Sequence, residues 1–329
     1  MKRSKQIDIY IISLVVLGLA AVTLRFIALL SFNNETMHFD DKVCIRIANL
    51  LTTLGVGIFA SGMLFGLDDA DLVPSSENAA TYIPTGLVAI ALMFSVADRA
   101  KVLMNGSFAD NSTLYYFSIA LLILSALSVV AFFILVLISK TQSVIKTYLL
   151  LFIVIYLAVY SVYLYFNTTV HPTNSPNKIV DLLAYLFASM FFLFETRIPL
   201  GRAAWKPYIA FGFAASLLTA YSALPALIMY IYNGSIISDS ICETAVTLAL
   251  CIFITSRVIL TSVLPYDVQC PEAEVISDLA AMRQAEMAES RELSRARNND
   301  NMEEIDSEEV ENYQFDIPSE EINANTEAK

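Results

Sequence analysis

Eight long apolar stretches separated by short polar segments make up most of this sequence. Each has about the 20 residues that a helix needs to cross about 30 Å of hydrocarbon. We therefore predict an all-α fold, a polytopic membrane helix bundle of about eight spans. Seven of the predicted spans cover residues 7–32, 45–67, 82–99, 113–139, 178–206, 207–232 and 240–264, and the fifth in chain order follows Lys146 and ends at Phe166.

The polar segments divide the chain into four parts. Residues 1–140 form a first membrane half with spans 1–4, and residues 141–265 form a second with spans 5–8. Residues 266–297 have acids at their start and arginines at their end, as a helix dipole favours, which predicts a juxtamembrane helix. Residues 298–329 are acidic and poor in large apolar side chains, which predicts a disordered tail.

Basic residues cluster at one set of predicted span ends, and this asymmetry predicts the orientation. The clusters are Lys2, Arg3 and Lys5; Lys140 and Lys146; and Arg197, Arg202 and Lys206. Cytoplasmic loops carry an excess of such residues, so we expect a multi-pass protein of the cell membrane with both termini in the cytoplasm. Arg99 and Lys101 fall on the opposite side and weaken this expectation.

Composition and charge agree with a membrane body that carries a soluble tail. The chain is 57% hydrophobic, whereas a soluble domain is usually about 45–50% apolar. The net charge of −12 comes from the tail, because residues 265–329 contain 18 acids and 5 bases. We expect the lipid bilayer as the main partner and no nucleic acid, which an acidic tail would repel.

Several short matches recur at a nearly constant offset and suggest an internal repeat. Asn105-Gly106-Ser107 precedes span 4 and Asn233-Gly234-Ser235 precedes span 8, while Tyr82-Ile83 and Tyr208-Ile209 begin spans 3 and 7. The offsets lie between 126 and 134 residues. Each match is weak alone, so accidental similarity and a duplication into two tandem four-helix halves both stay open. A duplication would place the pseudo-axis along the membrane normal.

Charged residues within or beside the spans are the candidate sites, because such groups are costly in lipid unless they are paired or hydrated. Glu195 and Arg257 fall at similar depth near the cytoplasmic ends of spans 6 and 8. They form an ion pair, or Arg257 snorkels to the interface alone. Arg197 is two residues from Glu195 and so faces another direction, and we expect it at anionic lipid, with Arg202 close by in the same charged group.

Arg25, Asp181 and Glu243 fall at comparable depth near the outer ends of three spans. They form either an ion site or three separate interfacial anchors. Tyr156, Tyr160 and Tyr163 follow helical spacing on span 5, which indicates either a ligand groove or helix packing with bonded hydroxyls. Small residues on span 2, among them Gly55, Gly57 and Gly62, predict a closely packed, central helix.

No motif predicts catalysis, a metal or a cofactor. The four cysteines form no CxxC pair, and the chain has only two histidines. Cys44 and Cys242 lie at outer span ends, where a disulfide and two separate thiols are both conceivable. We expect a non-enzymatic, membrane-embedded sensor or interaction module, with a small-solute or ion transporter or channel as the alternative. Tyr313, Phe315 and Ile317 in the tail are a candidate docking strand for a protein partner. The sequence does not indicate an oligomeric state.

Overall fold

A computed structural model describes residues 5–33, 38–39, 42–65, 79–105, 112–137, 144–167, 176–198, 204–234 and 240–263, together with Met282 and Ala285. Long helices make up nearly all of it. They are α1 Lys5–Leu30, α2 Lys42–Phe65, α3 Ala79–Met104, α4 Ser112–Leu137, α5 Val144–Phe166, α6 Pro176–Glu195, α7 Trp205–Asn233 and α8 Ile241–Val263. The all-α prediction is confirmed, and each predicted span corresponds to one of these helices.

Apolar side chains cover the outside of the bundle, while several charged side chains lie inside it. Ile12, Leu19 and Leu54 are among the large hydrophobic residues that are more than half exposed, whereas Arg99 and Glu243 are buried. This is the reverse of a soluble protein and fits a hydrocarbon surrounding. Within the described residues, α1, α2, α4, α5, α7 and α8 are long and apolar enough to cross a membrane.

Six helices form a closed ring. Each of α3 to α8 packs on the next in chain order, and α8 packs back on α3. The α1–α2 hairpin stands beside this ring and packs on α7 through both of its helices. The prediction that α2 is central is therefore wrong. Two of its glycines serve close packing instead, since Gly55 faces Leu217 of α7 and Gly62 faces the Tyr10 hydroxyl of α1.

A short β-hairpin marks one end of the bundle, which we call the hairpin end. Strand β1, Phe32–Asn33, pairs antiparallel with β2, His38–Phe39, so that Phe32 lies opposite Phe39. Phe39 packs in a small core with Leu29 at the end of α1, Ile45 at the start of α2 and Met229 near the end of α7. The hairpin end therefore holds the ends of odd-numbered helices and the starts of even-numbered ones.

The helix packing does not follow the symmetry that two tandem halves related by a two-fold axis would have. Such an axis would match the α1–α7 and α2–α7 contacts with α5–α3 and α6–α3 contacts. Neither of these pairs has substantial packing between its described residues. The duplication itself stays a prediction about the sequence.

Gly86 and Gly212 each lie four residues after the tyrosine of the Tyr82-Ile83 and Tyr208-Ile209 match, and they give a matched test of close packing. A Cβ atom at Gly212 of α7 would overlap Val258 Cγ2 of α8 and lie 3.2 Å from the Phe191 ring of α6, whereas one at Gly86 of α3 would meet nothing within 4 Å. We expect Gly212→Ala to lower the free energy of unfolding by about 1–3 kcal/mol through overpacking. Gly86→Ala should be neutral or slightly stabilising, because alanine is the better helix former. Thermal unfolding of both variants in detergent checks this, and equal melting temperatures would contradict it.

The chain divides into a compact unit of residues 1–277 and a second unit of residues 278–329. In the second unit Met282 and Ala285 are described, and both are helical. The rest of the predicted juxtamembrane helix, the acidic tail with Tyr313, Phe315 and Ile317, and the juxtamembrane Arg202 lie outside the described residues.

Candidate functional site

Glu243 is the centre of a buried polar cluster at the hairpin end. It lies in the first turn of α8, where its backbone N–H donates to Ser240 Oγ at 3.2 Å. This is half of a capping box, in which a glutamate normally turns back to the helix start. Here the side chain reaches α3 instead. Its Oε1 accepts hydrogen bonds from Ser95 Oγ and from Arg99 Nη2, both at 2.6 Å.

Two tyrosines extend the cluster to α5 and α6. Tyr156 on α5 donates to Glu243 Oε2 at 3.3 Å. The hydroxyl of Tyr185 on α6 lies 2.6 Å from Thr247 Oγ1 and also donates to the Glu243 carbonyl at 3.4 Å. We call Ser95, Arg99, Tyr156, Tyr185, Glu243 and Thr247 the Glu243 cluster. It joins four of the six ring helices: the Glu243 carboxylate links α8 to α3 and α5, and the Glu243 carbonyl and the Thr247 hydroxyl link α8 to α6.

The guanidinium of Arg99 also lies against the aromatic stripe of α5. Its Cζ atom is 4.8 Å from the ring centroid of Tyr160 and 5.6 Å from that of Tyr163. The rings of Tyr156, Tyr160 and Tyr163 stack in succession at about 6 Å. Because α3 and α5 are not neighbours in the ring, these contacts cross its interior. The tyrosine stripe is thus buried in helix packing, one of the two interpretations that the sequence left open, and it also forms one wall of the polar cluster.

A small cavity of ≈ 20 Å³ adjoins the Glu243 cluster, which is room for about one water-sized molecule. Asp181 of α6 and Glu243 both line it, together with the hydroxyl side chains of Ser222, Thr244 and Thr247. Asp181 Oδ1 accepts a hydrogen bond from Ser222 Oγ of α7 at 2.5 Å. The structure therefore brings together two of the three residues that were predicted as an outer group.

The third of these residues, Arg25 of α1, lies elsewhere at this end. It is buried with its Cζ atom 4.6 Å above the ring of Tyr221 on α7, and Tyr221 in turn donates to Asn49 Oδ1 of α2. Its cation–π contact ties the α1–α2 hairpin to the ring. Arg25 is not among the residues that line the cavity.

A second buried ion pair lies at the opposite end of the bundle. Arg257 of α8 donates to Glu195 Oε1 at the end of α6, from Nε at 3.0 Å and also from Nη2. Glu195 is buried, whereas Arg197 is exposed and lies over the Phe194 ring. Of the two readings that the sequence left open for Arg257, the structure has the ion pair. The opposite directions of Glu195 and Arg197 also agree with the expectation from their spacing.

Both ion pairs use the same face of α8. Glu243 and Arg257 are 14 residues apart, which in a helix is about 21 Å along the axis and within about 40° around it. Glu243 lies in the first turn of α8, where the helix dipole favours an acid. One face of α8 is therefore attached to α3 at the hairpin end and to α6 at the other end.

An aromatic plug separates the two ion pairs. Phe132 of α4, Phe192 of α6 and Phe253 of α8 are buried, and their ring centroids lie 5.3–6.2 Å apart. Val246 and Leu250 fill the same face of α8 between Glu243 and Phe253, and both are fully buried. Along α8 the order is thus polar cluster, apolar plug and ion pair.

Sequence reasoning missed Arg99 and Ser95. Span 3 was expected to end near Asp98 and Arg99, which would put both at the interface, but α3 continues to Met104 and buries Arg99. A signal existed, because Ser95 and Arg99 lie one turn apart and therefore on one face. The Ser240-x-x-Glu243 pattern also marks the start of α8. Neither pattern indicates that Arg99 and Glu243 contact each other.

The cysteines and the acids give no sign of a disulfide or a transition-metal site in the described residues. Cys44 and Cys242 are not joined by a disulfide. No group of three or more His, Cys, Asp or Glu side chains among these residues is placed to hold a metal ion. Cys270 lies outside the described part of the chain.

Comparison with known proteins adds no relative to this geometry. No protein-family model, no curated protein and no solved structure matches the chain. The Glu243 cluster, the plug and the second ion pair are therefore the features that bear on its function.

Proposed function

We propose that this protein is a non-enzymatic, membrane-embedded sensor or interaction module that carries no solute across the bilayer. In this proposal all eight helices span the cell membrane, both termini are cytoplasmic, and the hairpin end faces outward. The basic residues Lys146, Arg197 and Lys206 at the other end support this orientation. The acidic tail, with Tyr313, Phe315 and Ile317, is then available to a cytoplasmic protein partner.

The topology is tested with reporter fusions at Asn174, between α5 and α6, and at Asn325 in the tail. We expect them to report opposite sides of the membrane, since three helices separate the two positions. A reporter active only outside the cytoplasm should work at Asn174, and one active only in the cytoplasm should work at Asn325. Both sites on the same side would refute eight spans.

The aromatic plug is the observation that carries the proposal. A transporter binds its solute near the middle of the membrane, so it needs a polar cavity there that is as large as the solute. In this structure Phe132, Phe192 and Phe253 pack against one another between the two ion pairs, and the cavity beside Glu243 has room for about one water. An apolar barrier with an ion pair on either side suits a module that changes conformation rather than one that transports a solute.

Ion flux across vesicles tests whether the interior is sealed. We expect proteoliposomes with the full-length protein to leak entrapped H⁺, Na⁺ and K⁺ no faster than protein-free vesicles, measured with ion-sensitive dyes. The double variant Phe192→Ala with Phe253→Ala, which removes two rings of the plug, shows whether the assay detects an opened interior. Gramicidin added at the end confirms that the vesicles were intact. Flux through the wild-type protein would overturn the proposal.

Transport is the second candidate, and one observation favours it. The ion pairs at the two ends of α8 share one face and enclose the plug, which is the arrangement that two alternating gates would use. Flux of an ion through the wild-type protein, abolished by a substitution at either pair, would establish this candidate in place of the module.

A further inference from the structure

Three phenylalanine rings form a continuous strip in the seam between α6 and α7, which we call the phenylalanine strip. Phe211 of α7 lies between two rings of α6, with its centroid 5.7 Å from that of Phe187 and 5.5 Å from that of Phe194. All three side chains are only partly buried, so the strip lies at the surface of the bundle. Phe187 is eight residues before the end of α6 at Glu195, about 12 Å along the helix. The strip therefore has about the length of the hydrocarbon of one leaflet, which is about 15 Å.

The Arg197 guanidinium lies at the end of the strip, just after α6. Its Cζ atom is 5.2 Å from the centroid of the Phe194 ring, and the side chain is exposed. Within the part of the chain that the structure describes, this guanidinium contacts no acid and no hydrogen-bond acceptor. A ring against the face of a guanidinium leaves its N–H groups, which lie in the plane, available to an anion.

The surroundings of Arg197 favour an anionic molecule with an apolar chain. Lys206 lies in the first turn of α7, and neither α5 nor α7 contains an acidic residue. Glu195 is buried and paired with Arg257, so it does not neutralise Arg197. A guanidinium binds the oxygens of a phosphate through two parallel N–H donors. An exposed arginine beside an apolar strip is thus complementary to a phosphate that is joined to a hydrocarbon chain.

From this geometry we infer that Arg197 and the phenylalanine strip bind one anionic phospholipid, with the phosphate at the guanidinium and one acyl chain along the three rings. Arg197 selects a headgroup of net negative charge, because a zwitterionic headgroup also carries a positive charge that the guanidinium repels. Juxtamembrane bases attract an anionic surface in general, whereas this is a single site for one lipid molecule. Its place in the cytoplasmic leaflet rests on the orientation given under the proposed function, but binding itself does not.

Native mass spectrometry of the full-length protein tests the inference, after the protein has been delipidated in detergent and titrated with phosphatidylglycerol or with phosphatidylcholine of the same acyl chains. We expect one phosphatidylglycerol per chain to bind about tenfold more tightly than phosphatidylcholine. Arg197→Gln should abolish this preference. Lys206→Gln is the matched control, because it removes a base of the same end that lies about 140° around α7 from Phe211, and it should keep most of the preference.

Phe211→Leu tests the strip without changing any charge. It removes the middle ring and should weaken the binding of phosphatidylglycerol by about threefold. Phe133→Leu is its control, since Phe133 is an exposed ring of α4 outside the strip and should not affect binding. Glycerol 3-phosphate, which has the phosphate but no acyl chain, should not displace the lipid when the two are equimolar.

Three results would overturn the inference. The first is equal affinity for the two lipids, and the second is an equal loss of affinity in Arg197→Gln and Lys206→Gln, which would indicate general attraction to the basic end. The third is displacement by glycerol 3-phosphate, which would indicate a site for free phosphate. Ion flux through the wild-type protein together with selective lipid binding would leave this site intact and remove only the non-transporting function.

Discussion

Replacing Arg99 with methionine is expected to lower the free energy of unfolding by about 3–5 kcal/mol, because it leaves the Glu243 carboxylate buried without its counter-charge. Both side chains of the pair are at least nine-tenths buried, so solvent does not screen the loss. The contacts of Arg99 with the Tyr160 and Tyr163 rings are lost as well. Unfolding in a denaturing detergent, followed by circular dichroism, measures the effect.

A double-mutant cycle separates the ion pair from the packing of the arginine stem. Glu243→Gln should also destabilise, and the double variant Arg99→Met with Glu243→Gln should be no less stable than the worse single variant. Lys101→Gln is the matched control, since Lys101 is an exposed base on the same turn of α3 and should matter little. If the two single effects simply add, Arg99 and Glu243 do not act as a pair.

At the other end of α8, Glu195→Gln is expected to cost about 3–5 kcal/mol, because Arg257 would lose its carboxylate partner in a largely buried position. Arg197→Gln, two residues away but exposed, should cost much less and change mainly the dependence on anionic lipid. Melting temperatures in nanodiscs with and without anionic lipid give both quantities.

Exchanging the residue types at positions 195 and 257 tests whether Glu195 and Arg257 stabilise the bundle as a pair. Glu195→Arg combined with Arg257→Glu should recover part of the stability that either substitution alone removes. The recovery will be incomplete, because the surrounding side chains pack around a glutamate on α6 and an arginine on α8 and not around the reverse arrangement. A swap variant no more stable than the single variants would show that Glu195 and Arg257 stabilise the bundle separately.

The sequence predicted the helices well, for a clear physical reason. The hydrocarbon requires about 20 apolar residues per crossing, so each helix leaves a local pattern that can be read without its neighbours. The predicted span 7, residues 207–232, and the helix Trp205–Asn233 differ by one or two residues at each end. Helix contacts leave no such pattern, which is why the peripheral place of α2 was not predicted.

The site was harder to predict because its parts are far apart in the chain. Depth along each span correctly suggested Glu195 with Arg257, since both lie near helix ends at one side. The same reasoning grouped Glu243 with Arg25 and passed over Arg99, 144 residues away. Depth gives the position of a residue only along the membrane normal. To predict whether Arg25 or Arg99 pairs with Glu243, one must also know which helices are neighbours in the ring. That follows from side-chain fit across all eight helices.

Two helices, α3 and α6, supply the side chains that form ion pairs with α8. The same two helices are not among the six that are long and apolar enough to cross a membrane on their own. This has a consequence for biosynthesis. If all eight helices span the membrane, as proposed, Arg99 and Glu195 have no counter-charge from α8 while the ribosome is still extending the chain through α7, and α3 and α6 are held in the bilayer only weakly. The arrival of the residues from Ile241 to Val263 neutralises both at once. A nascent chain interrupted before Ile241 should therefore be recognised by membrane proteases as unassembled, whereas one interrupted after Val263 should persist.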